Sequence, residues 1–294
     1  MTSNLSRRAL LQAPIAAAAL SATAAAAQDP APTAPPARPS KGRIRQAGVH
    51  WCYGGPLDEM AKVCKALGLH GIDVVHPPGF PTLKEHGLVC TMTPAMGGGV
   101  GIGNGLNKKE NHEKYIALIR NRIDANAEYG FENVLVFSGN REEGLSDKQG
   151  LENCAEALAQ VVPYAEEKGQ VVQMELLNSK RDHRGYMMDN TPWGVELVQK
   201  VGSPSFKILY DIYHAQIMEG DIIQTIRDHH ESFGHYHTAG VPGRSNIDET
   251  QELYYPAICE AIAETNADLY VAHEFRPRGD KVKALTHAVE ICDV

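Results

Sequence analysis

Four residues with metal-binding side chains end four successive apolar runs of this chain: Glu175, Asp211, His237 and Glu274. They are separated by 36, 26 and 37 residues, each close to the length of one strand and one helix. Any one of them alone could be a helix cap or a core residue. Three carboxylates gathered at one rim would repel one another unless a cation neutralised them. Carboxylate and imidazole ligands favour Mn²⁺, Mg²⁺ or Co²⁺, so we predict that these four residues bind one divalent metal ion.

A strand-helix alternation along the chain is what would bring these residues together. Short runs rich in Val, Ile, Leu or aromatic residues alternate with segments of helical periodicity, a pattern typical of a parallel sheet. The predicted strands are 46–51, 71–75, 88–92, 133–137, 171–176, 207–211, 233–237 and 269–275. The predicted helices include 57–67, 113–129, 151–168, 192–201, 222–230, 253–264 and 281–291. Eight such units predict an α/β fold, a single-domain (β/α)8 TIM barrel, whose chemistry lies at the carboxyl ends of the strands.

An open, doubly wound sheet is the rival fold, and a glycine-rich segment at 97–105 bears on it. These glycines do not open a helix directly after their strand, as a dinucleotide-binding fingerprint requires. We interpret the segment as a loop over one mouth of the barrel.

The amino-terminal segment is predicted to leave the mature protein. Residues 1–27 contain Arg7 and Arg8 followed by an alanine-rich run, the layout of a twin-arginine signal peptide. Residues 28–41 are rich in proline and alanine and predict an extended linker, so the barrel occupies 42–294. This organisation predicts export, to the periplasm in a bacterium, with no membrane attachment after cleavage.

Composition excludes several classes of protein. The chain has 294 residues, of which 43% are hydrophobic and 22% charged, so it can bury a large core. A formal net charge of −8 argues against nucleic acid as a partner. The six cysteines contain no CxxC pair, which argues against a structural zinc module, and we expect most of them to be buried.

Four segments carry a resemblance to a known family: 175–180 (Glu-Leu-Leu-Asn-Ser-Lys), 211–216 (Asp-Ile-Tyr-His-Ala-Gln), 234–244 (which ends Val-Pro-Gly-Arg) and 273–277 (His-Glu-Phe-Arg-Pro). They resemble the hydroxypyruvate isomerase family, part of the sugar phosphate isomerase/epimerase group with xylose isomerase-like barrels. The resemblance implies the same four metal ligands, with Glu175 and Glu274 as the acid-base pair. It also implies that His214 and Arg244 bind substrate. Ketose 3-epimerases of the group have histidine at the position of His237, whereas some hydroxypyruvate isomerases have glutamine, so the substrate stays open.

The resemblance implies a metal-dependent isomerase or epimerase of a small sugar or hydroxy-oxo acid, acting through a cis-enediolate. A ketose 3-epimerase is the alternative. A barrel hydrolase resembling endonuclease IV would need more ligands and a basic surface. An exported sugar-binding protein without catalysis would use the same pocket. Association of copies into a homo-oligomer is left open.

Other polar residues near the predicted strand ends carry weaker expectations. Lys180, on the loop after the fifth strand, either binds substrate or lies at the surface. His235 is expected on the opposite side of its strand from His237, away from the ion. Trp51 ends the first strand and is predicted either to wall the site or to pack in the core.

Overall fold

The computed structural model describes residues 41–294 apart from residue 267. The predicted signal peptide and the predicted linker, except Lys41, lie outside the described residues. The backbone N–H of Lys41 donates to the Asp293 carboxylate (2.8 Å to Oδ1). The start of the described chain is thereby held against its carboxyl-terminal end.

Eight parallel strands close into a barrel in sequence order, which confirms the predicted (β/α)8 fold. The first strand pairs with the eighth, so that Gly48 lies opposite His273. The strands are β1 (Arg45–Val49), β2 (Gly71–Asp73), β3 (Val89–Pro94), β4 (Asn133–Val136), β5 (Val171–Glu175), β6 (Phe206–Asp211), β7 (Phe233–Thr238) and β8 (Tyr270–His273). Because all strands are parallel, their carboxyl ends open onto one mouth.

Helices surround the barrel: α1 (His50–Tyr53), α2 (Leu57–Ala66), α3 (Phe80–Glu85), α4 (His112–Tyr129), α5 (Asp147–Ala159), α6 (Val162–Glu167), α7 (Thr191–Val201), α8 (Ile212–Met218), α9 (Ile222–His229), α10 (Tyr255–Thr265) and α11 (Lys281–Cys292). The single helix predicted at 151–168 was wrong: the chain forms α5 and α6. Pro163 lies in the first turn of α6. Its ring would clash with the carbonyl of Ala159 in a continuous helix, so the helix ends and restarts.

Apolar side chains fill the space between strands and helices. Phe80 is fully buried and packs edge-on against Phe131, with ring centroids 4.9 Å apart, and against Tyr129 at 5.4 Å. Five of the six cysteines are buried and Cys52 is partly buried, as the sequence predicts for most of them. Within the described part of the chain, every helix is too short or too polar to cross a lipid bilayer.

The glycine-rich segment lies at the carboxyl-terminal mouth, after β3. Its end packs on the loop after β4, where the Leu106 N–H donates to the Phe137 carbonyl (3.1 Å). A Cβ on Gly105 would lie 2.2 Å from the backbone nitrogen of Gly139, so only glycine permits this approach. The glycines thus let two mouth loops pack backbone to backbone.

Candidate metal centre

The carboxyl-terminal ends of β5, β6, β7 and β8 bring Glu175, Asp211, His237 and Glu274 together. One potential ligand atom from each residue lies within 4.8 Å of those from the other three, and all four residues are buried. His237 Nδ1 lies 2.8 Å from Glu274 Oε2, 3.3 Å from Glu175 Oε1 and 3.9 Å from Asp211 Oδ2. The imidazole nitrogen is therefore directed at three carboxylates.

This group of side chains fits a divalent cation. Three carboxylates and an imidazole are ligands that Mn²⁺, Mg²⁺ and Co²⁺ accept. Glu175 Oε1 is buried and has no hydrogen-bond partner among residues 41–294 as described. Its nearest charged neighbour is His237 Nδ1, at 3.3 Å. A buried carboxylate oxygen without a hydrogen bond is costly, and coordination of an ion would satisfy it.

The two glutamates of the cluster have pKa values shifted in opposite directions. Burial raises the pKa of Glu175, with a further increase from Glu274. Burial also acts to raise the pKa of Glu274, but Arg244 and His237 outweigh it and hold that pKa well below its usual range. Two neighbouring carboxyl groups whose pKa values are pushed apart form an arrangement suited to acid-base catalysis.

Asp211 and His237 both hold protons more tightly than usual. Burial raises the pKa of Asp211 to about 7, against the opposing effect of Arg244. Burial acts to lower the pKa of His237, but Glu274 and the surrounding carboxylate hydrogen bonds raise it well above its ordinary value. In the metal-free protein, these protons partly neutralise the cluster.

Arg244 reaches into the cluster from the loop after β7. Its Nη2 pairs with Glu274 Oε2 and lies 3.5 Å from Asp211 Oδ2. The guanidinium carbon lies 5.2 Å from the ring centroid of Trp51 and 5.6 Å from that of Tyr213. The backbone of Arg244 has a left-handed φ of 53°. The structure therefore places the predicted substrate-binding arginine beside the predicted ligands, between two aromatic rings.

Trp51 lies at the mouth of the barrel, in the short helix α1. Its side chain is 42% exposed, and its Nε1–H donates to Glu274 Oε1 (2.8 Å). The structure therefore supports the prediction that Trp51 walls the site, rather than the alternative that it packs in the core. Its indole therefore shields and orients Glu274 while one face remains open to solvent.

His214 is fully buried behind Asp211. Asp211 caps α8, accepting a hydrogen bond on Oδ1 from the His214 N–H (3.1 Å). The Asn178 N–H donates to His214 Nδ1 (3.1 Å), so Nε2 carries the imidazole proton. That Nε2 lies 3.6 Å from Asp211 Oδ2 and has no hydrogen-bond partner in the described structure. His214 therefore presents a spare N–H donor beside the carboxylate of Asp211.

Lys180 lies farther out, on the loop after β5. It is exposed, and its Nζ donates to the carbonyls of Ile217 (3.0 Å) and Met218 (2.9 Å) at the end of α8. With Tyr213 and residues of the β7–α10 loop, Lys180 lines a cavity of about 830 Å³. The structure does not bring Lys180 to the four-residue cluster.

Asp73 and His235 extend the cluster into the barrel, and sequence reasoning missed both. His235 Nε2 lies 2.6 Å from Asp73 Oδ2, and His237 Nε2 lies 3.3 Å from the same oxygen. The expectation that His235 faces away from His237 was wrong. Residues two apart in a strand point to the same face, here the barrel interior. That periodicity was the available signal for His235.

Comparison with known proteins agrees with this architecture. The xylose isomerase-like TIM barrel family matches residues 52–292. A putative hydroxypyruvate isomerase of Homo sapiens is 26% identical over 253 residues, which cover 83% of this chain and 86% of that protein.

Two solved structures share the fold. An AP endonuclease, family 2, of Brucella melitensis has a TM-score of 0.73 and 23% identity, covering 82% of this chain and 96% of its own. The 3-keto-D-glucoside 4-epimerase of E. coli has a TM-score of 0.70 and 20% identity, covering 84% and 97%. At these identities the structures establish the barrel alone.

Proposed function

The chain belongs to the xylose isomerase-like TIM barrel family, and we propose that it is a metal-dependent isomerase or epimerase of a small sugar or hydroxy-oxo acid. The observation that supports this most is the buried cluster of Glu175, Asp211, His237 and Glu274 at the catalytic mouth. The human relative, named a putative hydroxypyruvate isomerase, supports the same reaction class.

The four residues of the cluster would hold the metal ion. When bound, a Mn²⁺, Mg²⁺ or Co²⁺ ion polarises the carbonyl of an α-hydroxy carbonyl substrate and makes the neighbouring C–H more acidic. The hardness of the oxygen and nitrogen ligands favours this group of three ions over metals that prefer thiolate ligands.

Glu175 and Glu274 would move the proton. Glu175 ends β5 and Glu274 directly follows β8, and β6 and β7 lie between these two strands in the barrel. One glutamate removes the proton from the C–H and leaves an enediolate, and the other returns a proton. Such positioned acid-base steps contribute about 10²- to 10⁴-fold in rate.

Two donors would orient the substrate. The free Nε2–H of His214 is available to a substrate oxygen near Asp211. The Arg244 guanidinium offers several N–H donors in one plane, a geometry that suits a carboxylate or a pair of hydroxyls. Together they would fix which carbon stands between the glutamates.

A ketose 3-epimerase is the second candidate, and the outer cavity favours it. The cavity of about 830 Å³ is lined in part by Tyr213, whose ring lies 5.6 Å from the guanidinium carbon of Arg244. It offers room for the tail of a longer sugar than a three-carbon acid. Return of the proton to the adjacent carbon isomerises the substrate, whereas return to the opposite face of the same carbon epimerises it.

The experiment is solvent-deuterium incorporation into a panel of hydroxy-oxo acids, aldoses and ketoses, with and without added metal. We expect metal-dependent exchange that falls at least ~100-fold in Glu175→Gln and in Glu274→Gln. Glu128→Gln, an exposed acid on α4, is the matched control and should keep full exchange. Exchange that survives complete metal removal contradicts the proposal. Sugar binding without exchange would instead indicate a binding protein.

We also propose that the protein is exported through the twin-arginine route. The adjacent Arg7 and Arg8 and the alanine-rich run after them support this. Replacing both arginines with lysine should leave the uncleaved precursor in the cytosol, as fractionation and mass spectrometry would detect. Unchanged export of that variant would contradict the route.

A further inference from the structure

Asp73 lies beneath the metal cluster, at the end of β2. Asp73, His235 and His237 are each 0% exposed. In the closed barrel, β1 and β8 lie between β2 and β7, so Asp73 meets the two histidines across the interior. One carboxylate oxygen, Oδ2, faces both imidazoles, at 2.6 Å from His235 Nε2 and 3.3 Å from His237 Nε2.

These contacts are hydrogen bonds rather than the walls of a second ion site. Asp73 Oδ2 lies 2.6 Å from His235 Nε2, the distance of a short, charge-assisted hydrogen bond. The other oxygen, Oδ1, accepts a hydrogen bond from the Val74 N–H (2.8 Å). Because an ionised carboxylate only accepts hydrogen bonds, Nε2 of both histidines must carry the proton.

The consequence for His237 is a fixed tautomer. With the proton on Nε2, the lone pair of the neutral ring is on Nδ1. Nδ1 is the atom that faces Glu274, Glu175 and Asp211 at 2.8, 3.3 and 3.9 Å. Metal-binding histidines commonly have their second nitrogen bonded to a carboxylate in this way, which orients the ring and strengthens the ligand.

We propose that Asp73 is a positioning residue, which holds His237 with Nδ1 presented to the metal ion, and that His235 holds Asp73 in place. The inference rests on the proposed metal site. Asp73 touches neither ion nor substrate and acts through His237.

The backbone around Asp73 indicates that this arrangement is specifically maintained. Val74 has a φ of 55°, in the left-handed region that β-branched residues rarely adopt. Its N–H bonds Asp73 Oδ1, so the unfavourable conformation is coupled to the orientation of the carboxylate. Backbone strain of this kind persists where the surrounding structure requires it.

The test compares Mn²⁺ binding to the parent and to Asp73→Asn, by calorimetry and by electron paramagnetic resonance. We expect the parent to bind one Mn²⁺ ion per chain. Asp73→Asn should bind Mn²⁺ about 10- to 100-fold more weakly. His112→Gln is the matched control. His112 is also buried but lies on α4, away from the ends of β5 to β8, and its ring bonds the Leu106 carbonyl (2.8 Å), so Mn²⁺ affinity should stay within about twofold.

A measurement on the parent keeps the proposal testable if Asp73→Asn does not fold. In ¹⁵N-histidine-labelled protein loaded with Mg²⁺, the imidazole signals of His237 should show a protonated Nε2 and a non-protonated Nδ1. A protonated Nδ1, a second Mn²⁺ ion per chain, or unchanged affinity in folded Asp73→Asn would each overturn the role of Asp73. Failure of the parent to bind any divalent metal would instead overturn the proposed function.

Discussion

Metal binding should release protons, and the number released depends on pH. In the metal-free cluster, burial raises the pKa of Asp211 to about 7. Burial acts to lower the pKa of His237, but the carboxylates around it raise it well above its ordinary value. Both residues must give up their protons to bind an ion. Lowering the pH from 8 to 6 therefore places protons in competition with the metal.

Asp211 gives a lower bound on the size of the effect. With a pKa of about 7, it is mostly ionised at pH 8 and mostly protonated at pH 6, so more protons should be released on binding at pH 6. From Asp211 alone, the apparent affinity should be about tenfold higher at pH 8 than at pH 6, which corresponds to about 1.4 kcal/mol. The raised pKa of His237 acts in the same direction.

Isothermal titration with Mn²⁺ in two buffers of different ionisation enthalpy measures both the apparent affinity and the number of protons released. His237→Gln keeps an oxygen ligand but has no ring proton to lose, so fewer protons should be released on Mn²⁺ binding than in the parent. Affinity that does not change between pH 6 and 8, without proton release, would refute the inference that the four side chains share one ion.

Three further predictions concern stability and binding. First, the raised pKa values of Asp211 and His237 mean that the folded metal-free protein binds more protons than the unfolded chain, so its stability should fall from pH 6 to pH 8, by about 1.4 kcal/mol from Asp211 alone. Chemical denaturation in chelator measures this, and stability that rises over that range would contradict it. Second, Phe80→Ala removes a buried ring from two aromatic neighbours and should lower the free energy of unfolding by about 3–5 kcal/mol, as urea denaturation would measure. Its Mn²⁺ affinity should be unchanged. A loss below about 1 kcal/mol would show that the surrounding residues collapse into the cavity. Third, Arg244→Lys keeps the charge but loses the planar guanidinium between two aromatic rings, so the KM for substrate should rise about tenfold in steady-state assays. An unchanged KM would place Arg244 outside the substrate site.

The sequence was sufficient to predict the barrel and the four-residue cluster, for one physical reason. Parallel strands open their carboxyl ends onto one mouth, and each strand-helix unit has a nearly constant length. Glu175, Asp211 and His237 are therefore neighbours because of where their strands end, and Glu274 directly follows β8. Predicting the four-residue cluster therefore requires no knowledge of long-range contacts.

Contacts that depend on loop geometry or on pairing between distant residues could not be derived from local sequence pattern. Asp73 closes the three-residue strand β2, too short to show periodicity, and its partner His235 is 162 residues away. Trp51 turns over the mouth because α1 begins directly after β1. Arg244 enters the cluster from a left-handed backbone position that its residue type does not favour. Each of these is a product of the folded barrel rather than of local pattern.

The charge balance of the cluster bears on the choice of substrate. In the metal-free protein near pH 6, Arg244 and the protons on His237 and Asp211 offset three carboxylates. A divalent ion that displaces those two protons leaves the total unchanged, with Arg244 still paired to Glu274. A neutral sugar would preserve this balance, whereas a hydroxy-oxo acid adds a negative charge to a buried site. An acid substrate would therefore need its carboxylate balanced by Arg244, through a guanidinium N–H other than the Nη2 that pairs with Glu274 or by displacement of Glu274 from Nη2. A neutral ketose makes no such demand, so the charge of Arg244 should matter more for turnover of an acid than of a ketose.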